Sequence, residues 1–169
     1  MAAFGSFVAG QVLTAAELNA AGTWQDYTPS WTQSATITKT VNFARYTQFN
    51  KIVMGSVKMT ATSAGTANNK VLVGLPVAAS SNQFILGQMT YFDDSATDKY
   101  LFSTPMMAFY ETSTTISFSP KSLTVTGPPN ATADDKRFGQ DYTASGTSRS
   151  GVTVASGDII WIQFQYEAS

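Results

Sequence analysis

Carboxylates are the only side chains in this sequence grouped closely enough to suggest catalysis: Asp93, Asp94 and Asp98 in one stretch, Asp134 and Asp135 in another. Two acids held roughly 5–10 Å apart can share general acid and base roles, as in glycoside hydrolysis. Clustered acids can also hold a hard cation through their oxygens. Both groups, however, fall in polar stretches where aspartate is favoured because its side chain bonds nearby backbone N–H groups. The run Asp93-Asp94-Ser95-Ala96-Thr97-Asp98 also lacks the glycine and distal glutamate of a calcium-binding loop. Solvated turns rank first for both clusters, a weak cation site second and catalysis last.

The chain has no histidine and no cysteine. That removes Ser-His-Asp and Cys-His nucleophiles, the imidazole base, and zinc sites built from imidazole or thiolate. A disulfide framework is removed as well, so folding does not depend on redox compartment. Ser145-Gly146-Thr147 and Ser150-Gly151 match no phosphate-cradling spacing. The sequon Asn130-Ala131-Thr132 carries weight only in an exported chain. We expect no catalytic residue, no cofactor and no metal.

Aromatic side chains remain as candidates for binding. Trp24, Tyr27 and Trp31 flank the junction between an N-terminal segment and the rest of the chain, where packing accounts for them. Trp161 sits on the more polar face of the final strand and is the better candidate for an interface or glycan-contacting aromatic, interface ranking ahead of glycan. Arg45 stands among apolar neighbours, a position that suits a salt bridge or a guanidinium stacked on an aromatic ring.

Composition limits what kind of domain can position these groups. Charged residues are 12% of the 169-residue chain, about half the usual share, while Ser and Thr make up about a quarter. Hydrophobic content of 43% and abundant aromatics argue against disorder. Thr and Ser cover exposed strand faces well, and few charges allow broad surfaces to be buried against other chains. The net charge of −1 and the lack of a basic run argue against nucleic-acid binding. No apolar stretch is long enough to span a bilayer, and the N-terminus lacks the basic and apolar regions of an export signal, so no membrane partner is expected.

Residues 14–22 carry a helix code. Thr14 and Glu17 form a capping box, Leu13 and Leu18 a hydrophobic staple, and Gly22 stands where a left-handed residue would end the helix. The helix spans about residues 15–21 and is too short to persist alone, so it must dock through Val12, Leu13, Leu18 and Trp24. After Pro29 the period becomes two. Ala35–Tyr46 and Val53–Ala61 read as a hairpin turning at Asn50-Lys51, with Ile37, Val41, Phe43 and Arg45 on one face. Shorter strands fit Val71–Leu75, Phe84–Phe92, Tyr100–Ser103, Met106–Glu111, Thr114–Ser119, Ser122–Thr126 and Ser150–Val154. Pro128–Ser150 is a long polar connection. After the Ser156-Gly157-Asp158 turn, Ile159–Glu167 places Ile160, Ile162, Phe164 and Tyr166 opposite Trp161, Gln163 and Gln165. The expected fold is all-β: a single jelly-roll-like antiparallel β-sandwich over residues 29–169, preceded by an N-terminal segment, residues 1–28, with its short helix.

The stretch GQVLTAAELNAAGTWQDYTPSW, Gly10 to Trp31, resembles the N-terminal signature of minor virion proteins of tailed bacteriophages, especially those infecting actinobacteria. In that signature a Leu-Thr-Ala-Ala-acid-Leu-Asn-Ala helix precedes a Trp and then Tyr-Thr-Pro. ARYTQFNKIVMGSVKMTATSAGT (Ala44 to Thr66), VLVGLPVAA (Val71 to Ala79) and VASGDIIWIQFQYEAS (Val154 to Ser169) are similar to further blocks of the family. The resemblance covers both ends of the chain, and Ser80 to Ser150 has no part in it. It implies a small trimeric β-sandwich mounted on the capsid or tail by its N-terminal segment, made in the bacterial host cytoplasm and working on the virion exterior.

The leading expectation is therefore a non-enzymatic virion structural protein, a decoration or minor capsid protein or a minor tail protein. Its partners would be sister subunits and the major capsid or tail protein, through Phe4, Phe7, Val12, Leu13, Leu18 and Trp24. The alternative is a tail or baseplate receptor-binding module that recognises host cell-surface glycan through the long loop and exposed aromatics such as Trp161.

Overall fold

The computed structural model describes residues 22–81, 85–94, 100–120, 138, 142–144, 147–149 and 152–169. The helix expected near residues 15–21, with Thr14 and Glu17, lies outside the described residues, as does the strand expected at Ser122–Thr126.

The described chain is all-β, with twelve strands: β1 (Gln25–Asp26), β2 (Trp31–Gln33), β3 (Ala35–Thr36), β4 (Lys39–Phe49), β5 (Ile52–Ala61), β6 (Leu72–Gly74), β7 (Leu86–Asp93), β8 (Tyr100–Thr112), β9 (Thr115–Pro120), β10 (Tyr142–Ala144), β11 (Thr147–Arg149) and β12 (Ile159–Glu167). Ten form one antiparallel sheet in the order β1-β4-β5-β12-β7-β8-β9-β6-β2-β3, and β10 and β11 pair as a separate hairpin. That hairpin falls inside the stretch expected to be a polar connection. The C-terminal strand occupies the middle of the sheet, flanked by β5 and β7.

The sheet curls until its β2–β3 end meets the segments next to β5 and β12, giving a sandwich-like body. Thr66 donates its N–H to the Gln33 carbonyl, and Gly65 donates to Val154. The Gln33 side chain, fully buried, closes the seam: its Nε2 donates to the carbonyls of Asn69 (3.0 Å) and Val152 (2.8 Å), and its Oε1 accepts from Val154 N–H (3.0 Å). A buried amide is tolerable only when its donors and acceptors are matched in this way. Gly65 is required beside it, since a Cβ there would overlap the Gln33 side chain. Val152–Val154, expected as strand, is thus an irregular segment held by a side chain rather than a ladder.

The core is built from the alternating inward residues of β5 and β12, namely Val53, Val57, Met59, Ile160, Ile162, Phe164 and Tyr166, together with Trp31, Met89, Tyr91, Met106, Ile116 and Phe118. Phe138, from the polar connection, joins this core, with its ring 4.9 Å from that of Tyr91 and its backbone bonded to Phe118 and Val71.

Two irregularities overturn details of the periodic pattern. The β4–β5 register shifts between Val41 and Phe43, so Asn42 is an extra residue in β4. A bulge reverses which side chains face inward. Val41 packs toward the core, but beyond the bulge Ala44 and Tyr46 are buried and Arg45 is exposed, so Arg45 does not share the face of Ile37 and Val41. The strands expected at Tyr100–Ser103 and Met106–Glu111 are one strand, β8. Met89 and Tyr91 oppose Met106 and Phe102, and this irregularity accommodates Pro105, which has no N–H for a ladder.

Candidate functional site

Two of the five acids on which chemistry would depend fall within the described residues. Asp93 ends β7 and Asp94 follows it, while Asp98, Asp134 and Asp135 lie outside the described residues. Among the described residues no group of three or more His, Cys, Asp or Glu is arranged to hold a metal ion. Asp26 is paired with Arg45 (3.0 Å), both strongly exposed, and Glu111 is paired with Lys70 while accepting from the Ser117 hydroxyl (2.6 Å).

The acid that sequence inspection passed over is Asp158. It is fully buried, and its Oδ2 accepts from the Tyr91 hydroxyl (2.5 Å) and from Ala155 N–H (2.7 Å). Burial above all, then the hydrogen bond and negative charge of Asp158, drive the Tyr91 phenol far above its ordinary pKa. This pair ties the turn before β12 to β7 and has a structural task. Its signal in the sequence was the Ser156-Gly157-Asp158 turn, where Gly157 takes a φ of 101°.

A different kind of site emerges on the outer face of the central strands. Because β-strand side chains alternate, residues in register form ladders running across the sheet. One outward ladder runs Asp26–Arg45–Ser56–Gln163–Gln88–Met107 across six strands. A second runs Thr47–Met54–Gln165–Leu86. Between them the inward-facing Gly55, Phe164 and Gly87 pair with one another and leave only backbone on the outer side. The result is a cross-strand groove of about 440 Å³, with a polar wall of Ser56, Gln163 and Gln88 and a more apolar wall of Met54, Gln165 and Leu86.

Trp24 completes the lining. It is delivered there by β1, where Gln25 pairs with Tyr46 and accepts from its hydroxyl (3.1 Å). Gly22, two residues earlier, has a φ of 73°, a left-handed conformation that glycine adopts readily. Trp24 is 54% exposed and Leu86 58% exposed. Among the described residues, none that lines the groove is charged.

Of the residues singled out from sequence, Trp24 therefore lines this groove. Trp161 stands in the adjacent ladder Phe43–Lys58–Trp161–Thr90, half-exposed, with the Phe43 ring edge-on at 6.1 Å and the Lys58 ammonium 5.6 Å from its ring centre. Phe4, Phe7, Val12, Leu13 and Leu18 lie outside the described residues. The groove itself was missed: Ser56, Gln163 and Gln88 lie in three different strands, and only the register between strands brings them together.

No family model, curated protein or solved structure matches the chain.

Proposed function

We propose that this chain is a non-enzymatic structural protein of a phage virion: a trimeric, jelly-roll-like exterior knob whose N-terminal residues attach it to the capsid or tail. The sequence resemblance of its two ends to minor virion proteins motivates the proposal. The observation that supports it is that the first described residues, Gly22 to Asp26, lie outside the core. Among the described residues the hydrophobic core begins at Trp31, with Tyr27 packed against it, and nothing from Gly22 to Asp26 enters it. The chain before Tyr27 is instead held on the sheet through β1, beside the exposed Trp24.

On this reading the residues before Gly22 serve a partner. Burying Phe4, Phe7, Val12, Leu13 and Leu18 against another protein would contribute roughly 1.5–3 kcal/mol each before ordering costs. Three copies in one trimer would add avidity through effective concentration. The sequence has no His or Cys to supply an imidazole base or a thiolate, and among the described acids Asp26, Glu111 and Asp158 are each engaged with a partner.

Quantitative mass spectrometry of purified particles of the phage encoding the chain tests the proposal. Copies in the hundreds per particle identify a capsid lattice, and a few to a few dozen identify a tail or vertex. Absence from the particle overturns it.

A further inference from the structure

We infer that the cross-strand groove is a binding site for an uncharged saccharide of one to a few sugar units, gripped by Trp24 and by the amides of Gln88 and Gln163. The inference stands apart from the virion proposal, since it rests only on the groove's chemistry.

Charge narrows the ligand first. Among the described residues no lining side chain is charged, and the cations of the neighbouring ladders are engaged elsewhere: Arg45 with Asp26, and Lys58 over the Trp161 ring. A phosphate, sulfate or carboxylate ligand would find no counter-charge. Hydrogen-bonding capacity narrows it further. Gln88 Nε2 donates to Gln163 Oε1 at 3.2 Å, which leaves Gln88 Oε1 as a spare acceptor and Gln163 Nε2 as a spare donor, side by side. A sugar hydroxyl both donates and accepts, so adjacent hydroxyls match such a pair of amides, and the Ser56 hydroxyl extends the same wall.

The opposite wall and Trp24 supply the apolar surface against which the C–H face of a pyranose ring packs. A volume of about 440 Å³ lies within the range of small-molecule sites, roughly 300–1,000 Å³. An extended peptide fits less well. The floor strands β5, β12 and β7 are each paired on both sides, so no backbone edge is free to bind a peptide as an added strand.

The test titrates the full chain with neutral mono- to trisaccharides of glucose, galactose, mannose and N-acetylglucosamine, followed by tryptophan fluorescence and saturation-transfer NMR. At least one series should bind, with an affinity unchanged between low and high salt. Trp24→Ala should weaken it by about tenfold, and Gln88→Ala or Gln163→Ala by about threefold to tenfold. All three positions are exposed, so the variants should fold, and Trp161→Ala should leave the affinity within about twofold of wild type. Failure of the whole panel to bind overturns the inference. So does loss of binding in Trp161→Ala with retention in Trp24→Ala, a salt-sensitive affinity, or occupation of the groove by a second copy of the chain.

Discussion

Tyr91 on β7 donates a 2.5 Å hydrogen bond to Asp158, and both residues are fully buried. The carboxylate also accepts from Ala155 N–H, so one acid holds the turn before the central strand to a neighbouring strand. Removing the acceptor strands two donors, whereas removing the hydroxyl leaves Asp158 with its backbone partner. Unsatisfied buried groups cost about 1–3 kcal/mol each. Asp158→Ala should therefore destabilise by about 3 kcal/mol or more and Tyr91→Phe by about 1–2 kcal/mol. Urea unfolding of both variants checks the order; equal losses, or none, would show that the pair does not hold the turn.

Alkaline pH probes the same core. Burial raises the phenols of Tyr27, Tyr91 and Tyr166, the last to about 12. Unfolded tyrosine ionises near pH 10. A folded pKa above the unfolded one gives stability that is complete below about pH 10 and is lost as pH climbs toward the folded value. For Tyr166 the loss should run through roughly pH 10–12 at about 1.4 kcal/mol per pH unit, with Tyr27 and Tyr91 extending it upward. Unfolding midpoints followed together with tyrosinate absorbance should fall steeply over that window. Ionisation of all seven tyrosines near pH 10 in a still-folded chain would contradict the burial.

Gln33 tests the closure of the sheet. Gln33→Leu keeps the bulk but orphans Val154 N–H and the carbonyls of Asn69 and Val152, for an expected loss of about 2–4 kcal/mol. Gln33→Glu should cost at least as much at neutral pH, because it aims an oxygen at two carbonyls, and should recover in part when acidified. Equal stability of Gln33→Glu and wild type at neutral pH would show that the seam does not depend on this amide.

Strands β5 and β12 were legible in the sequence because each buries one face only, and half-burial writes a clean alternation: Val53 to Ala61, Ile160 to Tyr166. The Asn50-Lys51 turn was legible too, and Asn50 takes the left-handed φ of 52° that a tight turn favours. The bulge at Asn42 was not, since one extra residue inverts the face assignment without changing composition. Phe138 was hidden in a polar stretch because one aromatic among polar neighbours has no period. Gln88, Ser56 and Gln163 each look like ordinary surface residues along their own strands. Their alignment depends on strand order and register, which are long-range properties.

The central claim is that the N-terminal segment attaches a self-sufficient β domain to a virion. A chain lacking residues 1–21 retains Gly22–Asp26 and every core residue named here. Particles assembled with this truncated chain in place of the full one measure the claim directly. The account predicts a folded domain, with β-type circular dichroism and a thermal midpoint within a few degrees of the intact chain, that is absent from purified particles. Incorporation of the truncated chain at the full-length level would contradict it.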